Sequence, residues 1–187
     1  MKCPQIYTSI DLELNADGKQ TFDIIQIGAV IGNVITGEVL EELSLYVDIK
    51  KPLYPFITEL TGITDYTIQT KGTTLVEAYN TLKEAHKKHG AHHMVVQWGG
   101  GDEYALKKQL IEAGMDPREW CFGRTFWNVK TLVQALQLSK GLTIQGGLKK
   151  SCHKYNVKFQ GPAHDALFDS LNTFRLFSKL LRDLKNV

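Results

Sequence analysis

The stretch IYTSIDLELNADGKQTFDIIQIGAVIGNVI, residues 6–35, decides the architecture. Residues 6–14 are mostly apolar and often β-branched, which predicts a strand. Asn15-Ala16-Asp17-Gly18 is a turn signal. Residues 23–35 are rich in Ile and Val and predict a second strand, with Gly28 and Gly32 inside it. Thr36-Gly37 gives another turn, and Leu43 to Val47 a third strand. Three strands joined by short turns predict an antiparallel meander.

Beyond the meander the period changes. Pro52 and Pro55 break the strand pattern, and Phe56 to Leu60 predicts a short helix ended by Gly62. Thr73 to Lys88 carries Leu75, Ala78, Tyr79, Leu82 and Ala85 on one helical face. Met94 to Trp98 is a short apolar strand, separated by Gly99-Gly100-Gly101 from a helix over Glu103 to Ala113. Further helices are predicted over Asn128 to Leu138, Gln145 to Tyr155 and Ala166 to Leu184, and Pro117 to Phe126 reads only as a connection. Strands first, then alternating helix and strand, predict an α/β fold: a mixed sheet, antiparallel meander then parallel strands, flanked by helices. With no repeat or linker, residues 1–187 read as a single domain.

Composition narrows the class without naming it. Hydrophobic residues make up 43% and charged residues 22%, ordinary values for a globular protein. A net charge of +2 is too small to argue for a polyanionic partner by itself. Cys3, Cys121 and Cys152 are odd in number and widely spaced, which argues against a zinc module or a disulfide framework. Thiols of that kind suit the cytoplasm. No segment reaches the ~20 apolar residues of a membrane span, so membrane binding is not expected.

The chemistry sits in acidic residues. Asp11 and Glu13 are two apart on a strand, so both carboxylates share a face. They are either a solvated polar edge or a repelling pair that a divalent cation would relieve. Asp102 follows VVQWGGG, where a buried strand meets a helix; it is a simple N-cap or a ligand at the strand's end. In GPAHDALFDS, His164 precedes a helix and Asp169 lies in its second turn. Asp165 as a cap with Asp169 on the surface is the alternative there. Taken together, four carboxylates and a histidine match one chemistry. Two divalent cations ~3.5–4 Å apart clamp the oxygens of a phosphodiester, and a histidine takes the proton of the attacking water.

These residues resemble the DEDDh branch of the DnaQ-like (RNase T superfamily) exonucleases, which have a ribonuclease H-like fold. The carrying motifs are Asp11-Leu12-Glu13, Asp102 with Leu106 and Leu110 behind it, and His164-Asp165-Ala166-Leu167-Phe168-Asp169, which fits HxAxxD. Residues 25–30 (IQIGAV) resemble the family's second strand, and residues 56–64 (FITELTGIT) its LTGIT segment. Trp98-Gly99 ahead of Asp102 is similar to the Eri1/KapD-like subgroup.

The resemblance implies that Asp11, Glu13, Asp102 and Asp169 hold two Mg²⁺ or Mn²⁺ ions and that His164 is the general base. It implies that Leu14 contacts the terminal nucleotide and that Phe56 and Leu60 border its base and sugar; core packing is the other reading of that pair. Trp98 is a stacking surface or a core tryptophan. The implied activity is metal-dependent 3′→5′ removal of nucleoside 5′-monophosphates from single-stranded 3′ ends, with RNA favoured. A DNA exonuclease in repair, proofreading or phage DNA degradation is the alternative, and a catalytically silent 3′-end-binding module a third reading. Targeting then rests on this domain or on a protein partner. The glycines before Asp102 depart from relatives that carry a bulkier residue there.

Overall fold

A computed structural model describes residues 4–18, 22–143 and 146–185. Cys3 and Gln145 lie outside them; Cys121 and Cys152 are free thiols. The predicted meander is present as β1 (Ile6–Ala16), β2 (Phe22–Asn33) and β3 (Val39–Tyr46). Two short strands complete the sheet, β4 (Val95–Gln97) and β5 (Phe126–Asn128), in the order β3-β2-β1-β4-β5. β1–β2 and β2–β3 are antiparallel, whereas β1–β4 and β4–β5 are parallel.

Helices α1 (Pro55–Thr61), α2 (Asp65–Lys71) and α3 (Leu75–Lys88) precede β4. α4 (Asp102–Glu112), α5 (Val129–Ser139), α6 (Leu148–Lys154) and α7 (Ala166–Lys185) follow it. The helices bury both faces of the sheet. One core joins Ile10 and Leu12 of β1 with Ile27 and Ala29 of β2 and with Tyr79, Leu82, Leu106 and Leu110 of α3 and α4. The other joins Tyr7 and Val30 with Val129, Phe174 and Phe177 under α5 and α7. Among the described residues no helix is long and apolar enough to cross a membrane.

Several elements depart from the sequence expectation, each for a local reason. α2 was not predicted; its start is fixed by Thr64, whose hydroxyl accepts from the Thr67 amide. The segment read as a connection contains a 3-10 turn at Pro117–Glu119, and its last residue, Phe126, opens β5. Three residues are too few for a periodic signal. Asn128 caps α5 rather than lying inside it, accepting from the Thr131 amide. α6 begins at Leu148, after Gly146 at φ 118° and Gly147 as its N-cap, so the two glycines precede the helix.

β2 and the start of α7 approach each other backbone to backbone. Gly28 pairs with Asp11 across the ladder, and a Cβ there would sit 1.9 Å from the Ala166 carbonyl carbon. Backbone on both sides leaves nothing to move aside. Gly28→Ala is therefore expected to cost about 3 kcal/mol or more. Thermal unfolding should show a midpoint lowered by about 6–12 °C; an unchanged midpoint would refute this contact.

Candidate active site

The site begins with the phase of β1. Residues of one parity, Ile10 and Leu12, enter the core under α3 and α4. The other parity starts with Tyr7 and fully buried Ser9 beneath α7 and then delivers Asp11 and Glu13 where α7 begins. Both carboxylates are thus on a covered face, and the solvated-edge reading fails. Burial raises the Asp11 pKa well above the usual carboxylate range, and the charges of Asp102, Asp169, Glu13 and Asp165 raise it further. Glu13 is pushed to about 8, by burial first and then by Asp169, Asp165 and Asp102.

Gln26 holds the opposite wall. It pairs with Glu13 in the ladder and is fully buried. Its Nε2 donates to Ser44 Oγ (3.0 Å) and Asp165 Oδ1 (3.4 Å), and its Oε1 accepts from the Ala166 amide (3.1 Å). Asp165 is indeed a cap, accepting from the amides of Leu167 (3.0 Å) and Phe168 (3.4 Å). Asp169, however, is not a surface residue. It is half-buried, its pKa is raised chiefly by burial, and its Oδ2 accepts from the His164 backbone amide at 3.0 Å. That bond holds His164 in the left-handed region, at φ 62°, a conformation that disfavours side chains. The result brings ligand atoms of Glu13, His164 and Asp169 within 4.8 Å of one another.

Asp102, at the start of α4 beyond β4, is near enough for its charge to act on Asp11 and Glu13, but it stands outside both the Glu13–His164–Asp169 cluster and the lining of the cleft that opens over it. It is the first residue of α4, not its cap: Gly101, at φ 120°, is the N-cap and supplies no side-chain bond. Burial raises the Asp102 pKa to about 6, with Glu103 adding to it. Gln97, fully buried at the end of β4, accepts from the Glu103 amide at 3.3 Å and so steadies this helix start. Gly99 and Gly101 have open space where a Cβ would stand, and their positive φ values explain why glycine is used. Gln26 and Gln97 were passed over in the sequence. Their signal was an amide inside an otherwise apolar strand, which is costly unless paired; Gln26 is paired at both ends, whereas Gln97 is paired through Oε1 and its buried Nε2 has no partner among the described residues.

A cleft of about 580 Å³ opens over the group, lined by Asp11, Glu13, His164 and Asp169 with Trp98, Phe159, Lys149 and Lys150 on its walls. Of the four substrate-contact candidates only Trp98 lines it. Leu14 is half-buried against the core. Phe56 and Leu60 are 52% and 49% exposed on α1, so the core reading of that pair fails. α1 is moored to the end of β1, because Asn15 Oδ1 accepts from the Tyr54 amide at 2.9 Å.

The donors are hard carboxylate oxygens that converge and repel, with an imidazole beside them. This set fits divalent cations that prefer oxygen ligands. It also makes the cluster a burden on the metal-free fold. A carboxyl whose folded pKa lies above its unfolded value costs nothing at low pH. The cost grows from about pH 4.5 and is complete above about pH 8 for Glu13. In EDTA the melting temperature should therefore fall across this window, and Glu13→Gln should flatten the fall by several degrees. Mg²⁺ should restore the wild-type midpoint and help the variant less. Scanning fluorimetry against pH checks this; parallel curves for the two proteins would contradict it.

The model of the RNase_T exonuclease family matches residues 8–177. Among solved structures, a 3′-exonuclease described in 3′-end-specific recognition of a histone mRNA stem-loop aligns with TM-score 0.81 and 20% identity, over 96% of this chain and 64% of that one. Cell-death related nuclease 4 (CRN-4) aligns with TM-score 0.82 and 18% identity, over 96% and 64%. The nuclease domain of 3′hExo, a DEDDh family member bound to rAMP, gives 0.78 and 21%, over 96% and 93%. The chain thus spans less than two thirds, 64%, of the length of the first two. At these identities the likeness is one of fold. A search of curated protein sequences gave no significant match. The family match takes in both ends of the acidic cluster and nearly the whole chain, and on that ground the chain belongs to the RNase_T family of exonucleases.

Proposed function

We propose that residues 1–187 form one exonuclease domain that trims single-stranded RNA from its 3′ end, releasing nucleoside 5′-monophosphates. The observation that carries this reading is the convergence of His164 on Glu13 and Asp169 inside the cleft. Asp11, Glu13, Asp102 and Asp169 would hold two divalent cations, Mg²⁺ or Mn²⁺. Bound there, such cations neutralise the crowded carboxylates and the substrate phosphate and lower the pKa of water.

The chain's own residues do the rest. His164 accepts the proton of the attacking water at a ring nitrogen, and the bond from its backbone amide to Asp169 keeps the residue at the edge of the cleft. The water oxygen bonds to phosphorus, and the bond from phosphorus to the 3′ oxygen of the preceding nucleotide breaks. That oxygen takes a proton from solvent, leaving a 3′-OH on the shortened strand. Trp98 offers a stacking face within the cleft. Phe56 and Leu60 present exposed apolar side chains on α1, and with Leu14 they would flank the terminal nucleotide.

The RNA reading draws on structural neighbours that include a 3′-exonuclease described in recognition of a histone mRNA stem-loop and one bound to rAMP, while exonuclease I, described in complex with ssDNA, supports the other reading. A DNA-directed enzyme is the alternative. The two free thiols suit a reducing compartment such as the cytoplasm, and a protein partner is the simplest means of targeting.

Purified protein with 5′-labelled RNA and DNA of one sequence, in Mg²⁺, Mn²⁺ or EDTA, tests the reading. A metal-dependent ladder shortening from the 3′ end is expected, faster on RNA. Faster loss of DNA would assign the alternative, and binding without shortening would assign a silent 3′-end-binding module. His164→Ala and His164→Asn should each reduce turnover by about 10²–10⁴-fold. Asn tolerates left-handed backbone, so the second variant separates loss of the base from loss of the loop. Asp11→Asn should be inactive with its fold retained.

A further inference from the structure

A second pocket, of about 240 Å³, lies beyond the catalytic cleft along α7. Lys158, Arg175, Lys179 and Arg182 line it together with Ser178 and Gly37, and no acidic side chain does. Lys179 is neutralised by Asp183 of the next turn. Among the described residues no carboxylate pairs with Lys158, Arg175 or Arg182. In a chain whose net charge is +2, three uncompensated cations around one concavity form a strong local field.

The pocket is built rather than incidental. Arg182 Nη1 donates to Ser178 Oγ at 2.6 Å, and Ser178 is fully buried, so one terminal nitrogen of the guanidinium is anchored on the helix. Gly37, at φ 82° in the turn between β2 and β3, makes room for it. A Cβ there would stand 2.8 Å from Arg182 Nη1 and 3.2 Å from Ser178 Oγ. A planar guanidinium held open to solvent, with other cations beside it, is suited to phosphate oxygens.

The connection between α6 and α7 links this pocket to the catalytic cleft. Lys158 lines the basic pocket, and its neighbour Phe159 lines the cleft. Lys149 of the cleft wall lies 5.7 Å over the Phe159 ring. Cations therefore run from Lys149 past Lys158 to Arg175. Arg175 and Arg182 stand roughly 9 and 20 Å beyond Asp169 along α7, at about 1.5 Å per residue. At about 3.4 Å per nucleotide of one strand, that span is some three to six nucleotides.

We infer that this pocket binds the phosphodiester backbone of the substrate strand a few nucleotides 5′ of the scissile bond. The inference rests on the exonuclease reading, because the strand's 3′ end must lie in the cleft. It makes binding length-dependent: a strand of about two nucleotides fills the cleft without reaching Arg175 and Arg182, and a longer one gains both contacts.

The test is fluorescence anisotropy with single-stranded RNA of about 2 and about 24 nucleotides, in EDTA so that nothing is cut. Lys158→Ala/Arg175→Ala is compared with wild type and with Lys130→Ala/Lys140→Ala, which changes the net charge equally and touches neither pocket. The pocket variant should weaken the long strand about tenfold and lower the slope of log K against log salt by about 1.4, two cations at ~0.7 each on a single strand. The short strand should bind as it does to wild type. Equal weakening of both lengths, or an equal effect in the control variant, would overturn the inference. Binding is read without catalysis, so the outcome stands apart from that of the exonuclease assay. If the length effect appears in a protein that never cuts, the pocket survives and the nuclease reading fails. If the protein cuts and the length effect is missing, the reverse holds.

Discussion

The seating of the first turn of α7 on the middle of β2 is the contact on which the rest depends. Gly28 removes the side chain that would hold the helix off the sheet. Gln26 then spans the gap, bonded to Ser44 on one side and to Asp165 and Ala166 on the other. Register does the remainder. Gln26 and Gly28 stand opposite Glu13 and Asp11, so whatever α7 presents at its start faces those carboxylates. A polar side chain buried this deeply is tolerable only when its hydrogen bonds are made, and here the bonds made are the ones that locate the site.

The same arrangement sets the fold against its function. Carboxyls brought together on a covered face resist ionisation, and each stabilises the protonated state of the others. Two apolar cores, one on each side of the sheet, offset this cost. Three departures from local rules meet at the site: an acidic pair on a buried strand face, glycines at positive φ before Asp102, and a histidine in left-handed backbone.

Much of this was legible in the sequence because long strands and an amphipathic helix carry strong periodic signals. The meander, α3 and α7 fall in that class, and period two placed Asp11 and Glu13 together without reference to anything distant. What stayed illegible depends on contacts between segments far apart. The paired, buried state of Gln26 depends on Ala166, 140 residues away. That Asp169 turns inward follows from its bond to the His164 amide, and no spacing rule encodes that bond. Phe56 and Leu60 share one helical face by spacing, yet only the packed fold decides that this face is exposed. β5 is set by pairing with β4, too short to announce itself.

The hydrogen bond between the His164 amide and the Asp169 carboxylate has a consequence for how genetic data on this site are interpreted. The two positions do not act as separate units. A substitution at residue 169 that removes the acceptor also releases the loop carrying the imidazole, so its defect contains part of the histidine's. An amide at 169 can still receive the bond, whereas a methyl cannot. Asparagine and alanine at this position therefore report different losses. Their effects combine with those at 164 less than additively, as for any pair joined by one shared contact.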